Sequence, residues 1–171
     1  MKENINLHGF IDKFIVNGIK PIVDEQPYLA FILLSSTIEF LGKCLSTTTD
    51  WQKSGESERD FSNAIRTFAS LKKYHKAYDS HNGEQRSRLY TELRCAMVHA
   101  LQPRPGIILG KDRNDLANKT IGCRELFEDV IAACEEVKTM NVDKNIPMYI
   151  EGDMTGVTST IATQIQKHSN K

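Results

Sequence analysis

The segment from Pro27 to Leu45 constrains the fold more than any other, because its apolar residues recur all round a helix instead of along one side. Leu29, Phe31, Leu33, Leu34, Ile38, Phe40, Leu41 and Leu45 leave a narrow stripe of small and polar groups. At about 100° per residue that stripe is Tyr28, Ser35, Ser36, Glu39, Gly42 and Lys43. A helix that is apolar on most sides has to be surrounded, so it is expected at the centre of the molecule. Pro27 suits its first turn, where the missing N–H has no intrahelical partner in any case. The stripe is then either the one wet face of this helix or one wall of a cleft. Glu39 and Lys43 stand in i,i+4 order for a solvent-facing ion pair, worth about 0.2–0.5 kcal/mol.

Helical periodicity recurs along the rest of the chain. Leu7, Phe10, Ile11, Phe14, Ile15 and Ile19 imply a helix over residues 5–20, which Pro21 is expected to end or bend. Residues 46–57 form a polar loop. Beyond it Phe61, Ile65, Phe68, Ala69, Leu71 and Tyr74 mark the core face of a third helix over residues 58–78. Its basic end, Lys72, Lys73, His75 and Lys76, complements the helix dipole; a phosphate-contacting patch is the alternative use. After a turn at residues 79–83, a fourth helix runs to Leu101 and stops at the break Gln102-Pro103-Arg104-Pro105-Gly106. Ile107 to Gly110 reads as a short extended piece and residues 111–119 as polar loop. A fifth helix from Ile121 to Met140 is expected to bury Leu126, Val130, Ile131, Cys134 and Val137. Met148 to Ile150 is expected to form a strand against Ile107 to Leu109. These elements describe an all-α protein, an antiparallel four- to five-helix bundle with a short extended piece or β-hairpin near its C-terminal end. Residues 1–142 form the bundle, and residues 143–171 an extension packed on it that is mobile at its end.

A chain of 171 residues is long enough for one domain with a genuine core. Its 22 basic and 22 acidic residues cancel, which excludes a mode of nucleic-acid binding driven by a large basic excess and leaves only local contact. Met1-Lys2-Glu3-Asn4-Ile5-Asn6 is polar where a secretory leader carries its apolar core. The longest apolar run, Tyr28 to Leu34, falls short of the roughly 20 residues that span a bilayer. A cytoplasmic protein without membrane association is expected. Cys44, Cys95, Cys123 and Cys134 are widely spaced with no C-x-x-C pair, so neither a metal site nor a cofactor is expected. Three of them fall on apolar helical patterns, where reduced, buried thiols are the rule.

The fourth helix carries the residues with chemistry. In Leu89-Tyr90-Thr91-Glu92-Leu93-Arg94-Cys95-Ala96-Met97-Val98-His99-Ala100-Leu101-Gln102-Pro103, an arginine and a histidine interrupt an apolar pattern. Arginine offers phosphate a planar bidentate fork, and histidine exchanges protons near neutral pH. An Arg followed four to six residues later by a His arises about 0.7 times by chance in this composition, so the spacing alone says little. On a regular helix five residues turn about 500°, leaving the two side chains about 140° apart. With Tyr90, Leu93, Ala96, Met97 and Leu101 on the core face, Arg94 sits at its border and His99 nearly opposite. A fraying helix end or a second subunit has to bring them together. The bland use of Arg94 is an ion pair with Glu39 or another carboxylate at the edge of the core. That of His99 is a cation facing water at a helix C-terminus. Glu92, at helical spacing from His99 through Cys95, either orients the imidazole or is a solvated carboxylate. Nothing places a base beside Cys95, which argues against a nucleophile.

In this setting Leu89-Tyr90-x-x-Leu93-Arg94-Cys95-x-x-Val98-His99 resembles the HEPN superfamily (higher eukaryotes and prokaryotes nucleotide-binding), whose motif is an arginine followed after four to six residues by a histidine. Ile38-Glu39-Phe40-Leu41-Gly42-Lys43 is similar to the second-helix pattern of some bacterial HEPN-like proteins. The resemblance covers about residues 8–140. It implies a helical bundle that often dimerises and, in many members, a metal-independent endoribonuclease with a composite site built from two copies of the motif. Carried over, Arg94 binds the scissile phosphate and His99 handles the proton of the attacking 2′-hydroxyl or of the leaving oxygen. Glu39, Lys43, Glu92 and Cys95 stand as supporting residues. The implied partners are RNA or a nucleotide, a second copy of the chain and, for a toxin or phage-defence effector, a cognate antitoxin protein. Active members frequently carry Asn, Asp or His directly after the motif arginine, and here that residue is Cys95, a poor hydrogen-bond donor. The alternative is therefore a catalytically inactive HEPN-like module that binds a nucleotide, RNA or a protein.

Overall fold

The computed structural model describes residues 3–46, 55–79, 87–140 and 145–148. The first helical run begins after strand β1 (Glu3–Asn6), where the Asn6 side chain caps α1 (Leu7–Phe10) by accepting from the Gly9 amide at 2.7 Å. A π-turn (Ile11–Val16) leads into α2 (Asn17–Glu25). The run therefore passes through Pro21 instead of ending there. An interior proline costs about 3 kcal/mol. Burial of Ile15, Ile19 and Val23, each at most 5% exposed, offsets it at about 1.5–3 kcal/mol apiece.

The central helix α3 (Pro27–Leu45) has its proline in the first turn and packs against α2, α4 (Ser57–Thr67) and α7 (Cys123–Thr139). Its small-and-polar stripe is wet at Tyr28, 44% exposed, and covered further along. Ser35 is 0% exposed and Gly42 is buried, because α4 crosses there. A Cβ on Gly42 would stand 1.6 Å from the Asp60 carbonyl oxygen, so only glycine lets the two backbones approach this closely. Ser35 and Thr37 need no water, since they donate to the Ile32 and Leu33 carbonyls of their own helix. What α3 leaves to solvent is apolar: Tyr28, Leu29 and Leu33. By length and composition alone α3 is apolar enough to cross a membrane. Half of its most apolar window is buried inside the protein, and a surrounded core helix meets the same criterion.

The third expected helix is two. After α4 the backbone opens at Phe68 (ψ 130°) and α5 (Lys72–Tyr78) follows a turn. The break lets Phe68 and Leu71, on either side of it, both reach 0% exposure. It is stitched to α7 by Ser70, which donates to the Asp129 carbonyl, and by the Ala69 amide, which donates to Glu136. Ala69 itself is exposed, contrary to its expected core position. Lys73 does not serve a helix C-terminus: its Nζ lies 2.7 Å from Glu125 and 2.8 Å from Asp129.

The fourth helix is a π-turn (Tyr90–Cys95) followed by α6 (Ala96–Ala100). Its N-terminus is capped from a distance. Asp79 accepts from the Arg88 and Leu89 amides and from the Ser87 hydroxyl, while Glu58 accepts from the Ser87 amide. It ends at Leu101 in the left-handed region (φ 56°), which turns that side chain outward, 59% exposed, instead of onto the core face.

Two short sheets complete the fold. Strand β2 (Ile108–Gly110) pairs in parallel with β3 (Thr120–Gly122) around a short 3-10 turn (Leu116–Asn118), and β1 pairs antiparallel with β4 (Asn145–Met148). This overturns the expected pairing of Met148 with the Ile107 segment. Closing the short loop between residues 110 and 120 loses less chain entropy than recruiting a strand from beyond α7. Tyr149, Ile150 and the rest of the expected C-terminal extension lie outside the described residues. The fold is thus mostly helical, as expected, with two small sheets attached.

Candidate functional site

Arg94 closes the π-turn of the fourth helix, and its Nε stands 2.7 Å from Oε2 of Glu39 on α3. Both atoms are fully buried, and neither makes an aligned hydrogen bond, so the contact is Coulombic rather than a directed bond. Each side chain as a whole keeps 19% exposure. The solvent-facing part of Arg94 therefore lies on atoms other than Nε. The Tyr90 ring sits one turn back, 5.6 Å from the guanidinium carbon, within cation–π range. Phe61 of α4 meets Tyr90 edge-on, with centroids 5.6 Å apart. The Cys95 side chain lies near the Tyr90 phenol. Burial first, and then Cys95, push the phenol up to about 12, so it stays protonated. Glu39 and Tyr90 thus bracket the arginine on two sides.

His99 is in the last turn of α6 and exposed. Among the described residues no side chain hydrogen-bonds or pairs with it. Arg94 and His99 are separated mainly by α-helix, so the turn of about 140° between them persists and one protomer does not bring them together. Glu92 does not serve His99: its Oε1 accepts from Arg88 Nε at 3.1 Å and Nη2 at 2.9 Å. The charge of Lys43 acts on Asp60 across the α3–α4 crossing. Cys95 is partly exposed, Cys44, Cys123 and Cys134 are buried, and none of the four is in a disulfide. Burial pushes the Cys123 thiol up to about 11 and that of Cys134 up to about 12, which keeps both protonated and inert.

One contact that sequence reasoning missed orients this region. The Tyr28 hydroxyl, at the start of α3, donates to the Leu101 carbonyl just past α6 at 2.5 Å. Glu39, eleven residues further along α3, meets Arg94, seven residues before Leu101. The two helices are therefore antiparallel neighbours. Beside this contact Tyr28, Val98 and Leu101 are 37–59% exposed, whereas the exposed Leu29 and Leu33 lie about 100° and 140° round α3 from Tyr28. Only the outward position of Tyr28 on α3 hinted at it.

Among the described residues, no group of His, Cys, Asp and Glu is placed to hold a metal ion. Comparison of the chain with family models, curated proteins and solved structures gave no match.

Proposed function

We propose that this chain is a HEPN-type, metal-independent endoribonuclease that works as a homodimer, with Arg94 and His99 in a composite site. One observation carries the reading. The fourth helix carries an arginine held at its Nε edge yet open to solvent elsewhere, and an exposed histidine, on sides too far apart to act together within one copy. A second copy seated on the exposed apolar residues Tyr28, Val98 and Leu101 completes the pair. Arg94 then grips the scissile phosphate with its remaining guanidinium edge, and Glu39 acts as a positioning residue that fixes the fork. His99 of the other motif accepts the proton of the 2′-hydroxyl as it attacks phosphorus, or donates one to the departing 5′-oxygen. Neutral overall charge suits a small, local RNA site.

A second reading has its own support. Glu39 already balances the charge of Arg94, and Cys95 stands where an amide, carboxylate or imidazole serves active members, which favours an inactive HEPN-like module that binds RNA, a nucleotide or a protein. RNA cleavage in EDTA by wild type, Arg94→Ala and His99→Ala, with growth on expression as a parallel readout, separates the two. Cleavage lost in both variants supports the nuclease. Cleavage that survives both, or that needs a divalent metal, removes it. Binding without cleavage leaves the inactive module.

A further inference from the structure

The side of the fourth helix turned away from Glu39 carries a second set of cations. Arg88 and Glu92 pair across one turn, and His99 lies further along, in α6 beyond the π-turn. Past Leu101 the chain folds back over this same side. The Arg104 amide donates to the Glu92 carbonyl at 2.9 Å, and Gly106, at φ +115°, lies so close that a Cβ there would stand 3.3 Å from Glu92 Oε2. The return places Arg104, which is exposed, beside the turn that carries Arg88 and Glu92.

The charges are sorted by depth. Arg88 is 56% exposed, whereas Glu92, the one acid of this helix side, is 15% exposed and is covered by the Arg88 guanidinium and the Gly106 turn. A ligand approaching from solvent therefore meets Arg88, His99 and Arg104 before it meets the carboxylate. Two guanidinium groups on the approach to an imidazole match a run of phosphates.

We propose that Arg88 and Arg104 form a strip that seats the phosphodiester backbone of an RNA strand on its way to His99. This deepens the nuclease reading and rests on it for the role of His99: the strip holds the phosphates to one side of the bond to be cut, while Arg94 of the second copy meets the scissile phosphate. Arg88 and Arg104 are substrate-positioning residues.

The test is fluorescence anisotropy with the full chain and a labelled 2′-O-methyl oligouridylate, which cannot be cleaved through its own 2′-oxygen. Wild type, Arg88→Gln, Arg104→Gln, Arg104→Lys and, as a control on an exposed face of α4, Arg66→Gln are compared across a salt series. Arg104→Gln keeps the backbone contact to Glu92, and thermal melts verify that each variant folds. Each Gln variant of the strip is expected to lower affinity about fivefold at 0.1 M salt and to flatten the salt slope by about 0.7. Arg104→Lys is expected to restore the slope, and Arg66→Gln to change neither. Unchanged affinity and slope in both Arg88→Gln and Arg104→Gln overturns the strip, as does a wild type that binds no oligouridylate or binds only the matching DNA. Cleavage that depends on Arg94 with binding indifferent to Arg104 would leave the nuclease and remove the strip. Binding that depends on Arg104 without any cleavage would do the reverse.

Discussion

Glu39 and Arg94 join α3 to the fourth helix through a single close contact, 2.7 Å between two buried atoms that are not aligned as a hydrogen bond. A contact of this kind is sensitive to losing one partner, because the other charge is left at a site that water only partly reaches. Glu39→Gln is expected to lower unfolding free energy by about 1–3 kcal/mol, read as a shift in the urea midpoint. Arg94→Met in the same background should recover part of that loss, since it removes the stranded cation. A double variant no more stable than Glu39→Gln alone would show that the two charges are independent.

That pair was legible from residue types, since Glu39 stood out as an acid on an otherwise apolar helix and Arg94 as a base at the edge of a core face. The bounds of α3 were legible for the same reason: a proline start and unbroken apolar content leave one solution. What escaped were features decided by partners remote in sequence. Pro21 reads as a stop, yet Ile19 and Val23 are buried on either side of it. The stripe that includes Ser35 and Gly42 reads as a wet face or the wall of a cleft, yet at Gly42 it lies against the backbone of α4. Phe68 to Leu71 continue a helical period, yet Asp129 and Glu136 of α7 capture that turn. Tyr28 and Leu101 are 73 residues apart, and no periodicity links a tyrosine hydroxyl to a carbonyl beyond a helix end.

Gly42 provides the sharpest packing test. Any side chain there collides with the Asp60 backbone, which cannot rotate away as a flexible side chain can. Gly42→Ala is expected to cost about 3 kcal/mol or more, at or above the usual range for an overpacked core. Thermal unfolding should show a large drop in midpoint or loss of soluble protein. A change within about 0.5 kcal/mol, the range of an ordinary surface substitution, would mean that α3 and α4 sit further apart.

Asp79 caps the helix that carries both candidate catalytic residues, accepting from two amides and one hydroxyl at 4% exposure. Asp79→Ala should cost about 1–2 kcal/mol through the lost cap and the orphaned Ser87 hydroxyl. Its signature is local. Amide hydrogen exchange should accelerate at Arg88 and Leu89 more than in α3 or α7. Uniform acceleration would indicate global destabilisation without a specific capping role.

Asp60 sets a pH dependence whose sign can be worked out. It is 2% exposed, its Oδ1 makes no hydrogen bond, and burial raises its carboxyl above the ordinary value of 3.8 despite the opposing charges of Arg59 and Lys43. A carboxyl raised in the folded state binds its proton more tightly there than in the unfolded chain. Its favourable contribution is therefore fully present below the unfolded value and is lost as pH rises through the folded one. At neutral pH ionised Asp60 is a net burden on the fold, in contrast to Glu125, whose carboxyl Lys73 holds below its ordinary value. Asp60→Asn keeps the shape and removes the charge, so its stability relative to wild type should improve steadily between pH 4 and pH 7. Urea midpoints of the two proteins across that interval measure the difference and cancel every other titrating group they share. Parallel curves would mean that Asp60 is solvated or paired in the fold, and a relative loss for the Asn variant above pH 5 would mean that Arg59 and Lys43 outweigh the burial.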